Sequence, residues 1–175
     1  MMTLYTIGYG NRSPEDFFAL LKPFSIRYLV DVRSNPYSRF QPAYNRKSLD
    51  LGCSTRRIRY LFMGDSLGGI PAELRGNAQR IDYELLKQRS EYQNGIKRLC
   101  NAVLQGHAVA LMCSELQPEK CHRSKLLGTS LETAGVTVQH ITEDGSLRKQ
   151  ATVLARLNQG QLTLFGEQFT SRAKY

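Results

Sequence analysis

Five short, mostly apolar or β-branched runs separated by helical patterns constrain this chain more than any other feature. They are Leu4 to Ile7, Tyr28 to Val32, Arg59 to Met63, Ala108 to Met112 and Val136 to Ile141. Runs of this kind read as strands buried on both faces, because a strand with one wet face alternates apolar and polar residues instead. The helical patterns between them carry their own start and stop signals. Ser13-Pro14-Glu15-Asp16 supplies an N-cap serine, a proline in the first turn and early acids, ahead of Phe17, Phe18, Leu20 and Leu21. Ser90-Glu91-Tyr92-Gln93 reads as a capping box for a helix with Tyr92, Ile96, Leu99, Cys100, Val103 and Leu104 on one face and an end near Gly106. Ser124 to Ala134 is a third helical pattern, stopped by Gly135. The alternation predicts an α/β fold, with residues 1–143 forming a single domain around a mostly parallel sheet of about five strands and helices on both faces. Past Asp144 the periodicity fades, so residues 144–175 read as a C-terminal extension.

The bulk properties exclude several classes. A chain of 175 residues is long enough to bury one core without staples, and four cysteines are few for a disulfide framework. No apolar run approaches the ~20 residues of a membrane span, and the opening MMTLYTIGYG lacks the charged and apolar regions of a signal peptide. A cytoplasmic location without a membrane partner is therefore expected. The formal charge of +9 and pI near 9.6 favour a polyanionic partner, nucleic acid or a nucleotide, because each phosphate neutralised releases a condensed counterion. Solubility alone is the competing explanation of a basic surface.

In open α/β sheets, ligands bind outside the carboxyl ends of the strands, where loops vary and helix N-termini converge. The unusual residues of this sequence collect there. The first strand runs into Gly8-Tyr9-Gly10, the second into Asp31-Val32-Arg33-Ser34, the third into Gly64-Asp65 and Gly68-Gly69, and the fourth into Cys113-Ser114-Glu115. The window MCSELQPEKCHRSKLL that follows the fourth strand has four readings. As a metal site it offers Cys113, Cys121 and His122, but adjacent Cys-His ligands do not easily reach one ion and the paired-cysteine spacing of zinc knuckles is missing. As a redox pair, Cys113 and Cys121 lack the C-x-x-C spacing. As an anion site, a helix starting near Cys121 would aim backbone N–H groups, His122, Arg123 and Ser124 at phosphate, with Cys113 or Cys121 as nucleophile and Glu115 as acid or base. As a purely structural turn, the cysteines would be small buried hydrophobes.

The anion reading has the physical logic of phosphatases and rhodaneses, in which a strand-end cysteine precedes an anion loop closed by arginine. LVDVRS also resembles the first rhodanese strand, although nine residues between Cys113 and Arg123 make a longer loop than in those families. Asp31, buried in its strand, is a catalytic candidate or the partner of Arg123; Arg33 and Ser34 lie past the strand as phosphate contacts. No metal and no cofactor are expected on this reading.

The elements TIGYGNRS, LVDVRSNPYSRF, MGDSLGG and LMCSELQPEKCHRS occur in this order between Thr6 and Ile141. In them the chain resembles the domain-of-unknown-function family numbered 488. The resemblance implies a single α/β domain with its active site at these motifs, and supplies no reaction.

Two further stretches bear on partners. The irregular region from Arg33 to Tyr60 interleaves Arg39, Arg46, Lys47, Arg56 and Arg57 with Tyr37, Phe40 and Tyr44, as single-strand and extruded-base binding surfaces do. It reads as a substrate flap. In the tail, Gln161, Leu162, Leu164 and Phe165 resemble the short peptide by which DNA-processing proteins dock on the sliding clamp. The combined expectation is a DNA-associated enzyme of repair or processing that acts on a nucleotide or nucleic-acid substrate. A non-catalytic nucleic-acid adaptor and a rhodanese-like sulfur-handling enzyme are the alternatives.

Overall fold

The computed structural model describes residues 2–75 and 80–158. Six strands form one sheet: β1 (Thr3–Gly8), β2 (Tyr28–Asp31), β3 (Arg59–Phe62), β4 (Val109–Cys113), β5 (Thr137–Ile141) and β6 (Leu147–Lys149). Their spatial order is β3-β2-β4-β1-β5-β6, parallel throughout except for the antiparallel β5/β6 edge. The five apolar runs are the five parallel strands.

The two faces are closed by different helices. On one, α1 (Pro14–Leu21) and α2 (Arg46–Ser54) set Phe17, Phe18, Leu21, Leu49 and Cys53 against Ile7, Leu29, Ala110 and Met112. Two helical turns, α3 (Gly64–Leu67) and α4 (Tyr83–Lys87), lead into the long α5 (Ser90–Leu104) on the other face. There Ile96, Leu99 and Val103 join Leu126, Leu127 and Leu131 of the segment after β4 over Leu4, Val30, Leu111 and Val138. Each such side chain contributes roughly 1.5–3 kcal/mol when fully buried, which is ample to hold the fold with all four cysteines as free thiols.

Local chemistry explains most element boundaries. Ser13 accepts the Asp16 N–H at 3.1 Å and so caps α1. Helix α5 starts one residue earlier than a capping box requires: Ser90 is already helical, Arg89 precedes it with no side-chain cap, and the Ser90 hydroxyl bonds Glu91 instead. Past its end, Gly106 takes φ 79°, and its N–H reaches the Val103 carbonyl while that of His107 reaches Ala102. The segment after β4 begins as a π-helix, Arg123–Gly128, and tightens into α6 (Thr129–Thr133).

The extension expected from residue 144 opens with ordered structure. Strand β6 is three residues long and reads LRK, too short and too polar to register as an apolar run. Helix α7 (Gln150–Asn158) follows and buries Gln150 and Val153. The candidate docking residues Gln161, Leu162, Leu164 and Phe165 lie outside the described residues. Among the described residues no helix is long and apolar enough to cross a membrane.

This topology shapes the carboxyl end of the sheet. The chain leaves β1 and β2 toward the α1/α2 face, whereas it leaves β4, which lies between them, toward the opposite face. Loops that diverge from neighbouring parallel strands open a crevice at their carboxyl ends. The end of β4 therefore sits in the crevice, flanked by the ends of β1 and β2.

Candidate functional site

Cys113 is the last residue of β4, paired with Gly8 of β1 in the sheet register. The loop from Ser114 to Lys120 returns the chain so that Cys121 and His122 face it. The His122 Nδ1 lies 3.8 Å from the Cys113 Sγ and 3.7 Å from the Cys121 Sγ, and all three atoms fall within 4.8 Å of one another. The spacing argument against this convergence therefore fails: the long loop and the opening turn of the π-helix turn Cys121 and His122 toward the same point.

The imidazole is oriented from behind. Its Nε2 donates to the Val32 carbonyl at 3.0 Å, which leaves Nδ1 of the neutral ring as an acceptor facing both sulfurs. Glycine at position 69 makes room, since a Cβ there would lie 2.9 Å from the His122 Cβ and Cγ. The two thiols are unequal. The hydrogen bond from Cys121, the adjacent His122 imidazole and the Glu115 backbone N–H hold the Cys113 thiol well below its ordinary range, against its burial. Burial, and then the neighbouring Cys113, push Cys121 well above it. The pair thus favours a single thiolate, on Cys113. The other two cysteines do different work: Cys53 sits in the core, where burial pushes its thiol up to about 12, and Cys100 is a half-buried position on α5.

Arg123 shapes the loop. It is fully buried, and its Nη2 donates to the Glu115 carbonyl at 2.9 Å and the Leu116 carbonyl at 2.7 Å, drawing the Cys113 loop down against β1. Gly8 permits this, because a Cβ there would stand 1.8 Å from the Glu115 oxygen. A directional chain continues inward. Arg123 Nη1 donates to Thr6 Oγ1 (3.4 Å), that hydroxyl donates to His140 Nδ1 (2.6 Å), His140 Nε2 donates to Gln150 Oε1 (2.7 Å), and Gln150 Nε2 donates to the Ser124 carbonyl (2.9 Å). Burial and the charge of Arg123 lower His140 to about 3, so it is neutral there. The loop is tied in this way to β1, β5 and α7.

Several expected contacts are replaced by others. Asp31 pairs not with Arg123 but with Arg33: its carboxylate accepts Arg33 Nη2 at 2.6 Å, Arg33 Nε at 2.9 Å, the Arg33 backbone N–H at 3.1 Å and the Tyr60 hydroxyl at 2.7 Å. Two residues along a strand end, Arg33 reaches Asp31 locally, while Arg123 lies on the other side of β4. Arg33 is buried and its Nη2 also donates to the Tyr44 carbonyl, so it holds the strand end together rather than facing the crevice. Ser34 accepts the Ile70 N–H at 2.9 Å. Ser124 is buried and donates to the Pro118 carbonyl, and the N–H groups of Arg123 and Ser124 are taken by Cys121, so this helix start is closed to an anion.

At the carboxyl ends of β1 and β4 lies a cavity of 570 Å³ lined by Tyr9, Gly10, Arg12, Gln41, Ser114 and Glu115 among others; its wall includes the residues just after Cys113 but none of the three members of the sulfur group. Tyr9 and Gly10 are zipped to β4 through N–H bonds to the Cys113 and Ser114 carbonyls. Arg12, not singled out in the sequence although it belongs to TIGYGNRS, donates to the Gly8 and Thr142 carbonyls at its rim. A slightly larger cavity, 590 Å³, lies against Ser25, Ile26, Arg27, Arg56 and Arg57, at the amino ends of β2 and β3 and away from this chemistry.

The expected flap divides accordingly. Arg56 and Arg57 belong to that opposite end, and Arg46 and Lys47 begin α2. Tyr44 is a buried pin, stacked on Tyr9 at 4.1 Å between centroids. Only the loop next to β2 keeps the expected character: Tyr37 is 61 % exposed, Phe40 91 %, with exposed Arg39 between them and Gln41 in the crevice wall.

No curated protein and no solved structure matches the chain. A family model does match, over residues 13–129, and so takes in α1, the Asp31–Arg33 strand end, the Gly68-Gly69 turn and all three members of the sulfur group. The chain belongs to the family described as domain of unknown function DUF488.

Proposed function

We propose that this protein is an enzyme acting on a nucleotide or nucleic-acid segment, DNA in the first instance, bound in the strand-end crevice with Cys113, Cys121 and His122 as the reactive group. The convergence of two sulfurs and an anchored imidazole at the carboxyl end of β4 carries the reading. Buried cysteines serve mostly as small hydrophobes, but a thiol beside an oriented imidazole at the carboxyl end of a parallel strand has the arrangement of a chemical centre. The substrate class rests on the loop beside it. Exposed Tyr37 and Phe40 flank Arg39, which suits base stacking with phosphate contact, and the chain carries a formal charge of +9. Docking of Gln161, Leu162, Leu164 and Phe165 on a sliding clamp would place the reaction at replicating or damaged DNA.

The test uses the full chain and end-labelled oligonucleotides: single-stranded and duplex, DNA and RNA, intact and carrying modified or missing bases. Turnover of one class, abolished in Cys113→Ala with binding retained, is the expected result. Salt-sensitive binding without turnover of any class would make the protein an adaptor. Salt-insensitive binding would remove nucleic acid altogether, and a persulfide on Cys113 after thiosulfate treatment would move the reading to sulfur transfer.

A further inference from the structure

The geometry points to a transition-metal site, zinc by preference, held by Cys113 Sγ, Cys121 Sγ and His122 Nδ1. Tetrahedral zinc with Zn–S of about 2.3 Å and Zn–N of about 2.0–2.1 Å sets its sulfur and nitrogen ligands about 3.5 Å apart. The observed separations are 3.8 and 3.7 Å, close to that spacing, and the three donor atoms all lie within 4.8 Å of one another. A shared ion explains why one ring nitrogen is nearly equidistant from two sulfurs; a single Cys-His pair would favour one of them.

The surroundings are those of a ligand shell. His122 Nε2 is fixed on the Val32 carbonyl, the second contact by which metal-bound histidines are oriented. The Arg123 backbone N–H points at the Cys121 sulfur from 3.5 Å, as N–H groups stabilise bound thiolates. Cys113 and Cys121 are only 5 % and 1 % exposed, while His122 is half-buried. Buried Arg123 adds a positive charge near the Cys121 sulfur, which would be a thiolate under a metal, and its Nε has no hydrogen-bond partner among the described residues. The donor set selects the ion: two thiolates and an imidazole are too soft for magnesium or calcium and suit zinc. Three protein ligands leave a fourth tetrahedral position for water or substrate, the pattern of a catalytic rather than a structural zinc.

This inference stands on the donor geometry and not on the nucleotide reading; metal content and oligonucleotide turnover fail separately. The full chain is purified without chelator, and metal is measured by mass spectrometry beside protein concentration. About one equivalent of zinc per chain is expected. Cys113→Ser, Cys121→Ser and His122→Ala should each fall to background, while Cys100→Ser keeps the wild-type content. Because a ligand variant can lose metal by unfolding, wild-type protein is also stripped and titrated with cobalt(II), which should give the visible and sulfur charge-transfer bands of a tetrahedral thiolate site. In the metal-loaded protein, Cys113 and Cys121 should resist alkylation until chelator is added. Sub-stoichiometric metal together with a featureless cobalt titration would overturn the site, and so would wild-type metal content in Cys113→Ser or unchanged alkylation on chelation.

Discussion

Two buried polar groups lie side by side at the ends of adjacent strands, and they are built on opposite plans. At the end of β2, Asp31 and Arg33 form a closed circuit. Both carboxylate oxygens are occupied, by three N–H groups of Arg33 and by the Tyr60 hydroxyl, and Arg33 spends a further donor on the Tyr44 carbonyl. One strand over, at the end of β4, three donor atoms converge on a point that none of them fills. Burial alone therefore does not mark a functional residue. A satisfied buried pair maintains shape, whereas convergent groups with unspent lone pairs are arranged for something that comes from outside.

The comparison breaks first at Asp31. Removing one partner of a buried ion pair leaves the other charge uncompensated, so Asp31→Ala should cost about 3–5 kcal/mol in urea unfolding. Adding Arg33→Met should recover part of that loss, since the stranded charge goes too. A cost under about 1 kcal/mol would show that the circuit is not closed.

The scaffold behind the sulfur loop gives the next effect, and it depends on pH. His140 is lowered to about 3 in the folded chain against 6.5 unfolded. Below pH 6.5 the unfolded chain takes up a proton that folded His140 refuses. Its contribution is therefore complete above pH 6.5 and drains away as pH falls toward 3, at up to about 1.4 kcal/mol per pH unit. Urea midpoints between pH 7 and 4.5 should show this slope in the wild type and less of it in His140→Gln. Identical slopes would mean that the chain from Arg123 to Gln150 does not keep His140 neutral.

Smaller effects probe the rim of the open group. Phe40→Ala should weaken binding of single-stranded DNA by about 1–3 kcal/mol, the range for losing one stacked base. Its stability should stay within about 0.5 kcal/mol, because Phe40 is 91 % exposed. Weakest of all, Arg39→Ala should reduce the salt slope of binding by about one phosphate contact while Arg56→Ala leaves it unchanged. Equal effects of the two would return Arg56 to the binding surface.

The sequence by itself determined the elements and their class. Five apolar runs became five parallel strands, and serine, proline and glycine marked where α1 began and where α5 and α6 stopped, because those signals act within one turn of backbone. It also placed Cys113, Asp31 and the glycine turns at the carboxyl end of the sheet, since residues that close or follow a strand must lie there. Where the signal depends on contacts far apart in the chain, it fell silent. Strand β6 and helix α7 owe their places to packing on β5 and on the π-helix, so a polar LRK and a modest helical pattern gave no warning. Asp31 could have met Arg33 or Arg123, and only the position of β4 between β2 and β1 decided for Arg33. The sulfur group is the clearest case. Adjacent Cys121 and His122 look divergent on paper, and it took Arg123 pulling the loop onto β1, Gly8 admitting it, Gly69 leaving space and Val32 holding the ring to bring both to bear on Cys113. Such convergence is a property of three-dimensional closure, which residue spacing along the chain does not encode.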